Sequence, residues 1–191
     1  METPKNKVHY DLKDVYAAPV TIADGVVTFG TPEPLTGSIS LDLAAQGDII
    51  KLRADGMDYY VAHSNNGYDG SLNMAQVPDD FKTKYLGYTV SAKDKVLVEN
   101  AMAERAPFAL LFSFKGDRNC RRHVLYNCYA NRPGIKGENK ENMKEPDTES
   151  LPIRALPLPD GSVKASTTAD TPESVVSGWN KAVWVSDTAT A

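Results

Sequence analysis

Apolar and polar residues alternate along much of the chain, which is the period-two pattern of half-buried β-strands. Residues 38–43 alternate in this way, and so do residues 57–62, which follow the turn-prone tripeptide Ala54-Asp55-Gly56. Further short strands are predicted at Val8–Val15, Val26–Phe29, Asp48–Arg53, Val96–Glu99, Leu151–Leu158 and Ser162–Thr167. Several short strands separated by turns predict a mainly β protein, an antiparallel sandwich or barrel.

The clearest hairpin lies in the middle of the chain. Its first strand runs from Pro107 to Lys115, the chain turns at residues 116–119, and the second strand runs from Cys120 to Ala130. The first strand is apolar on both faces, so we expect it to be central or covered by a second layer. Strict alternation predicts that one face of the second strand meets the core, and that this face holds Val124, Tyr126, Cys128 and Ala130.

Helix signals are few. The segment Pro78–Gly87 has proline and acids in its first turn, lysines later and glycine at its end, which predicts one short flanking helix of about two turns. A weaker pattern of the same kind covers Thr171–Gly178. Three prolines in or beside Leu151–Leu158 place that strand at a sheet edge, because proline cannot donate to a ladder.

The length of 191 residues predicts a single domain over residues 1–191. Within it we expect an N-terminal arm at residues 1–20, a long polar loop at residues 132–150, and a C-terminal arm at residues 168–191 that carries both tryptophans. The longest apolar run, residues 106–112, is too short to span a bilayer, and the polar N-terminus lacks an apolar signal core. We therefore expect no membrane span and a protein that stays in the cytosol.

Charge is unevenly distributed. The net charge of −4 resolves into −5 for residues 1–100, +4 for residues 101–132 and −3 for residues 133–191. Arginine suits planar, bidentate pairing with carboxylates or phosphates, and the basic segment is rich in it. Because the whole chain is acidic, a solvated or intersubunit face is favoured over nucleic-acid binding. The arginines of the basic segment are Arg105, Arg118, Arg121, Arg122 and Arg132.

Motifs for catalysis and for cofactors are absent or weak. There is no nucleophile elbow, phosphate-binding loop, zinc-protease helix or dinucleotide fingerprint. His123 and His63 are the nearest candidates for a general base, but exposed positions on strands explain both. Residues 65–70 have the composition of a calcium loop without its spacing, and a tight turn explains their Asn and Gly. We predict no catalytic, cofactor-binding or metal-binding residue, and a protein that is not an enzyme.

An ordered set of short motifs runs from about residue 5 to residue 165. The set comprises Val8–Lys13, Gly37–Ile39, Arg53–Gly56 with Tyr59-Tyr60, Asn66–Gly70, Val77–Phe81 with Leu86-Gly87, Glu99, Pro107–Phe112, Gly116-Asp117, Arg121–Cys128 and Arg132-Pro133. In this order it resembles the major tail proteins, or tail tube proteins, of long-tailed non-contractile phages, in the prophage-type branch common in Gram-positive hosts. The last 25 residues match no pattern of that family.

The resemblance implies a β-sandwich or barrel of the tail tube type with a flanking helix. It also implies a structural virion protein that polymerises into stacked hexameric rings, the conduit for DNA ejection. The implied partners are further copies of the chain, the tape measure protein, and the tail terminator and distal tail proteins. DNA would pass through the lumen without sequence-specific binding. The implied location is the virion tail, after assembly in the host cytoplasm.

A head-to-tail ring needs two different, complementary patches on each subunit. The acidic first hundred residues and the arginine-rich segment predict charge pairs between copies. The candidate contacts are Arg105, Arg118, Arg121, Arg122 and Arg132 on one copy and Asp55, Asp69, Asp79 and Asp80 on its neighbour. The polar loop and the N-terminal arm are candidates for contacts between rings.

Two other function classes stay open at this point. A monomeric β-sandwich that binds a small ligand or carbohydrate would use exposed aromatic residues such as Tyr59, Tyr60, Tyr68 and Tyr88. A split-barrel flavoprotein would use the arginine-rich segment for the cofactor phosphate.

Overall fold

The computed structural model describes residues 10–115, 121–137 and 146–186. The strands are β1 Tyr10–Ala23, β2 Val26–Phe29, β3 Glu33–Pro34, β4 Ser38–Gln46, β5 Ile49–Ala54, β6 Met57–His63, β7 Gly67–Met74, β8 Thr89–Val90, β9 Leu97–Val98, β10 Phe108–Lys115, β11 Arg122–Ala130, β12 Glu149–Ala155 and β13 Lys164–Ser166. The helices are α1 Asp79–Tyr85 and α2 Glu173–Gly178.

Strand pairing in these residues is antiparallel throughout. The main sheet has the order β2-β1-β10-β11-β12-β7-β4, with β3 also pairing β1 and β13 also pairing β11. Two further sheets have two strands each, β5 with β6 and β8 with β9. The predicted mainly β, antiparallel fold is confirmed. Both helix patterns are helices in the structure, so the stronger one, expected to give a single flanking helix, is joined by a second.

The strand β10 lies at the centre of the fold, and residues 108–113 are all buried. On one face, the Phe108 ring centroid lies 5.3 Å from that of Phe81 in α1, in an edge-on contact. On the other face, Leu111 packs in a second apolar cluster that includes Trp179. The expectation that this strand is central and covered on both faces is confirmed.

The strand β11 departs from strict alternation. Phe108 pairs with Cys128, but Leu110 pairs with Leu125, so β11 holds one extra residue between these pairs, a β-bulge. Val124 therefore packs in the cluster around Trp179, whereas Leu125 and Cys128 pack against the opposite face of the sheet. The prediction of one common face for Val124 and Cys128 is wrong, because the bulge shifts the alternation by one residue.

The strand β12 lies inside the sheet, between β11 and β7, so the edge predicted at Leu151–Leu158 is wrong. Of the three prolines, only Pro152 lies in β12. Its carbonyl accepts a hydrogen bond from the N–H of Asn131 at 2.8 Å, which places its nitrogen on the same side. That side of β12 faces the chain just beyond Ala130, the last residue of β11. The N–H that Pro152 lacks would therefore point away from β7, and the hydrogen bonds between β12 and β7 are intact.

The strand β7 contains residues 67–70 of the segment 65–70, so the tight turn predicted there is limited to its start, where the N–H of Gly67 donates to Asn65 Oδ1 at 3.1 Å. Its glycines allow two backbones to approach closely. A Cβ on Gly70 would lie 2.0 Å from the carbonyl oxygen of Asp42 in β4, and one on Gly67 would lie 1.9 Å from that of Ala155 in β12. Glycine in this strand therefore serves sheet pairing on both sides.

The predicted N-terminal arm is wrong from Tyr10 onwards, because residues 10–23 form β1, which pairs with β10 and buries its apolar side chains in the core. Residues 1–9 lie outside the described residues. The predicted long loop is without helix or strand at residues 131–137 and 146–148, whereas its last two residues belong to β12. Its middle part, residues 138–145, lies outside the described residues.

The C-terminal segment packs on its own chain. Trp179 is buried, and its Nε1 donates a hydrogen bond to the carbonyl of His123 at 3.4 Å. The ring of Trp184 stacks on Trp179 with their centroids 6.1 Å apart. The segment thus covers the second face of the sheet around Leu111 and Val124.

Candidate assembly surface

The strands β4 and β7 continue into β5 and β6 as one long hairpin. The N–H of Ser64 donates to the carbonyl of Asp48 at 2.9 Å, and the N–H of Asn66 donates to that of Gln46 at 2.8 Å, so the two chains stay paired across the junction. Beyond it, among the residues that the structure describes, β5 pairs only with β6. At about 3.3 Å per residue, the distal hairpin (residues 49–63) extends roughly 20 Å past the junction.

The tip of the distal hairpin is a two-residue turn. Ala54 pairs with Met57 across it. Asp55 and Gly56 have φ angles of 52° and 79°, as a type I′ turn requires at both central positions. The turn predicted from Asp-Gly is therefore formed, and the local sequence accounts for it.

One face of the distal hairpin is entirely apolar. Opposed residues of an antiparallel pair share a face, and Leu52 opposes Tyr60 while Ile50 opposes Ala62. The apolar hairpin face, as we call it, comprises Ile50, Leu52, Ala54, Met57, Tyr60 and Ala62. The other face carries charge: Lys51 Nζ lies 2.9 Å and Arg53 Nε lies 3.4 Å from the two carboxylate oxygens of Asp58.

Nothing in the described chain covers the apolar hairpin face. Ile50, Leu52, Met57 and Tyr60 are 63%, 58%, 63% and 59% exposed. Full burial of one such side chain contributes about 1.5–3 kcal/mol, so about 4–7 kcal/mol of burial is left unrealised at these four positions. The prediction that residues 57–62 form a half-buried strand is wrong for the single chain, and an apolar strip of this kind marks an interaction surface.

Arg122, one of the predicted contact residues, is engaged within the chain. Its Nη1 lies 2.5 Å from Asp14 Oδ2 and donates to Ser113 Oγ at 3.1 Å. Burial raises the pKa of Asp14, but the hydrogen bonds from Arg122 and Ser113, together with the positive charges of Arg122 and Lys13, hold this pKa below its ordinary value. The guanidinium therefore links β1, β10 and β11, and its charge is compensated inside the subunit.

Arg132 and Arg105 also have partners in the chain. Arg132 and the hydroxyl of Tyr88 both donate hydrogen bonds to the carboxylate of Glu99, the latter at 2.6 Å. The Tyr88 hydrogen bond and then the Arg132 hydrogen bond lower the pKa of Glu99. Arg105 donates to the side chain of Asn131. Arg121 is exposed, and Arg118 lies outside the described residues.

The four predicted aspartates lie on separate elements. Asp55 is at the hairpin tip and Asp69 is exposed on β7. Asp79 and Asp80 begin α1, and Asp79 lies 3.3 Å from Lys82. Within the parts of the chain that the structure describes, none of these acids forms an ion pair with any of the predicted arginines. Pairing between copies stays a prediction.

The tyrosines considered for ligand binding are not brought into one site. Tyr59 and Tyr60 lie on the distal hairpin, and Lys164 Nζ lies 5.0 Å from the ring centroid of Tyr68. Of the four, only Tyr88 lines a cleft of about 430 Å³ between the end of β7, β9 and the chain after β11. No group of three or more potential metal ligands occurs among the described residues.

The signal that sequence reasoning missed was the pairing of the two apolar sets across the Asp55-Gly56 turn. Counting outward from that turn places Leu52 opposite Tyr59 and already shows one wholly apolar face. A register shift between Leu52 and Arg53 makes Tyr60 the partner of Leu52 in the structure.

Comparison with known proteins identifies no family. No protein-family model and no curated protein matches the chain. Among solved structures, the chain is similar to the tube-terminating cap of an anti-feeding prophage, determined by cryo-electron microscopy, with 10% identity, a TM-score of 0.48, and coverage of 88% of this chain and 93% of that one. At this identity and TM-score the likeness assigns neither family nor function. In the described residues, no helix has the length and apolar character to cross a membrane.

Proposed function

We propose that this chain is a structural virion protein that polymerises into stacked hexameric rings and so forms the tail tube of a long-tailed phage. The observation that carries the proposal is the apolar hairpin face, because four large side chains about 60% exposed are unfavourable in a lasting monomer. The ordered motifs that resemble tail tube proteins indicate which assembly is formed, namely stacked hexameric rings. The proposed role is structural, with no catalytic step.

The edges of the main sheet fit the same proposal. The sheet ends in β2 on one side and in β4 on the other, and neither has a further partner strand in the described residues. Free edges offer rows of backbone donors and acceptors to another chain. Because the two ends differ, a contact between them is head-to-tail, and such contacts close into rings when the rotation permits.

A stacked-ring assembly also gives roles to the exposed charged residues, to the net charge of the chain and to further partner proteins. Arg121, Asp69 and Asp80 are exposed predicted contact residues and are available to a neighbouring copy. The net charge of −4 suits a lumen that DNA passes without sticking, because bound phosphates would hold it in place. The tape measure, terminator and distal tail proteins are the further partners, and the assembled tail of the virion is the location.

Electron microscopy and sedimentation of the purified protein test this proposal, with Ile50→Asp as the perturbing variant and Ile49→Asp as its control. The two isoleucines are neighbours of nearly equal exposure, 63% and 60%, on opposite faces of β5. We expect rings or tubes for the native protein and for Ile49→Asp, and monomers for Ile50→Asp.

Circular dichroism spectra that match the native spectrum would show that both variants keep the fold. Native protein that stays monomeric at high concentration would contradict the proposal. Assembly of Ile50→Asp to the native extent would remove the observation on which it rests.

A further inference from the structure

We propose that the apolar hairpin face of one copy docks on residues 90–102 of a second copy. This inference rests on the proposed self-assembly and adds the surface that receives the hairpin. Among the described residues, the distal hairpin holds the largest group of exposed large apolar side chains, and residues 90–102 hold the next largest. That second group comprises Val90, Val96, Val98 and Met102.

The receiving surface has a defined geometry. The strands β8 and β9 form a sheet of their own, in which Thr89 opposes Val98. Val96 and Val98 are two residues apart and so point to the same side, with exposures of 56% and 45%. Leu97 points to the opposite side and lines the cleft that also contains Tyr88. Val90 opposes Leu97 and so lies on the cleft side. The outward apolar surface, distinct from the cleft, is therefore formed by Val96 and Val98.

Polar contacts hold this surface to the body of the subunit. Glu99 directly follows β9, and its carboxylate accepts hydrogen bonds from Tyr88 and Arg132. Arg132 lies in the chain that follows β11, so these contacts tie the end of β9 to the main sheet. A surface that is ordered before binding loses less conformational entropy when a partner docks.

A contact between different surfaces covers the apolar hairpin face and the outward surface of Val96 and Val98 at once. If two apolar hairpin faces packed on each other, the contact would close at two copies and residues 90–102 would stay uncovered. The charges at the two surfaces also fit. The hairpin tip carries Asp55, and the β8–β9 turn carries Lys93, Asp94 and Lys95, a net charge of +1.

Cross-linking between singly substituted copies tests this pairing. One protein carries Leu52→Cys and the other carries Val96→Cys, both in a Cys120→Ser background, and they are mixed under assembly conditions with a short bismaleimide. The remaining cysteine, Cys128, is fully buried, and burial raises the pKa of its thiol to about 12, so it is unreactive. We expect a cross-linked dimer that contains one copy of each protein.

The control mixture pairs Ile49→Cys with Val96→Cys, which places the thiol on the charged face of the same strand. We expect its cross-linked yield to be at least about tenfold lower. Assemblies in which Leu52→Cys and Val96→Cys do not cross-link, or in which Leu52→Cys links mainly to itself, would overturn this docking and leave the proposed assembly standing. Absence of any assembly in the unsubstituted protein would overturn both.

Discussion

Replacing Trp179 by alanine tests the conclusion that the C-terminal segment is an integral layer of the fold. Trp179 is 3% exposed and packs in the apolar cluster on the second face of the sheet, beside Leu111 and Val124. Removing a buried tryptophan costs about 3–5 kcal/mol, from the lost transfer energy and the cavity left behind. The free energy of unfolding of a typical domain is about 5–15 kcal/mol, so such a loss is a large part of the total stability.

The assay is urea unfolding followed by far-ultraviolet circular dichroism, since the substitution itself changes the tryptophan fluorescence. It is run at a concentration at which the protein is monomeric, because assembly would stabilise the folded state by mass action. Trp184→Ala is the matched control. Its ring stacks on Trp179 but is 39% exposed, so we expect a loss of about 1–2 kcal/mol.

Equal losses for the two tryptophans would refute the reasoning, and so would a loss below about 1 kcal/mol for Trp179→Ala. Either result would mean that the second face of the sheet does not depend on this segment for its cover.

Three further substitutions test contacts inside the subunit, two in the main sheet and one in α1. Asp14→Asn should lower the free energy of unfolding by about 1–3 kcal/mol at neutral pH, because it leaves the Arg122 charge without its partner. Because the pKa of Asp14 is lowered in the folded state, this difference from the native protein should shrink as the pH falls below about 3.8. Urea unfolding at a series of pH values measures it. Gly70→Ala should destabilise the pairing of β4 with β7 and speed amide exchange in both strands, whereas Gly134→Ala, where a Cβ meets open space, should leave exchange unchanged. Tyr85→Phe should leave stability unchanged or raise it by up to about 1 kcal/mol in the same urea assay, because the buried hydroxyl has no hydrogen-bond partner among the described residues. A loss above about 1 kcal/mol would contradict this assignment.

Local patterns were sufficient for much of the secondary structure. The strand predicted at Val26–Phe29 has those bounds in the structure, and the predicted helix over Pro78–Gly87 contains α1. The turn at Asp55-Gly56 also follows from its own residues, since both adopt positive φ. Alternation, capping and turn chemistry act over a few residues, so they can be interpreted without knowing the neighbours in space.

Strand neighbours were harder to predict. Gly70 indicated a turn in the sequence, but it permits close contact with β4, a strand distant along the chain. Pro152 indicated an edge, but its nitrogen faces a position just beyond the end of β11. The bulge in β11 shifted Cys128 to the face opposite Val124. Each error arose because the residue acts through a partner that only the folded chain supplies.

The sequence by itself determined that the chain is mainly β, where most strands and turns lie, and that the strand at residues 108–115 is apolar on both faces. Only the tertiary structure decided which of the apolar faces the subunit covers itself. Trp179 covers one face of the main sheet, whereas the apolar face around Leu52 and Tyr60 is left in solvent. The physical reason is that alternation shows only that a strand has an apolar face to bury. Removing that face from water is equally favourable whether it is buried inside one subunit or between copies.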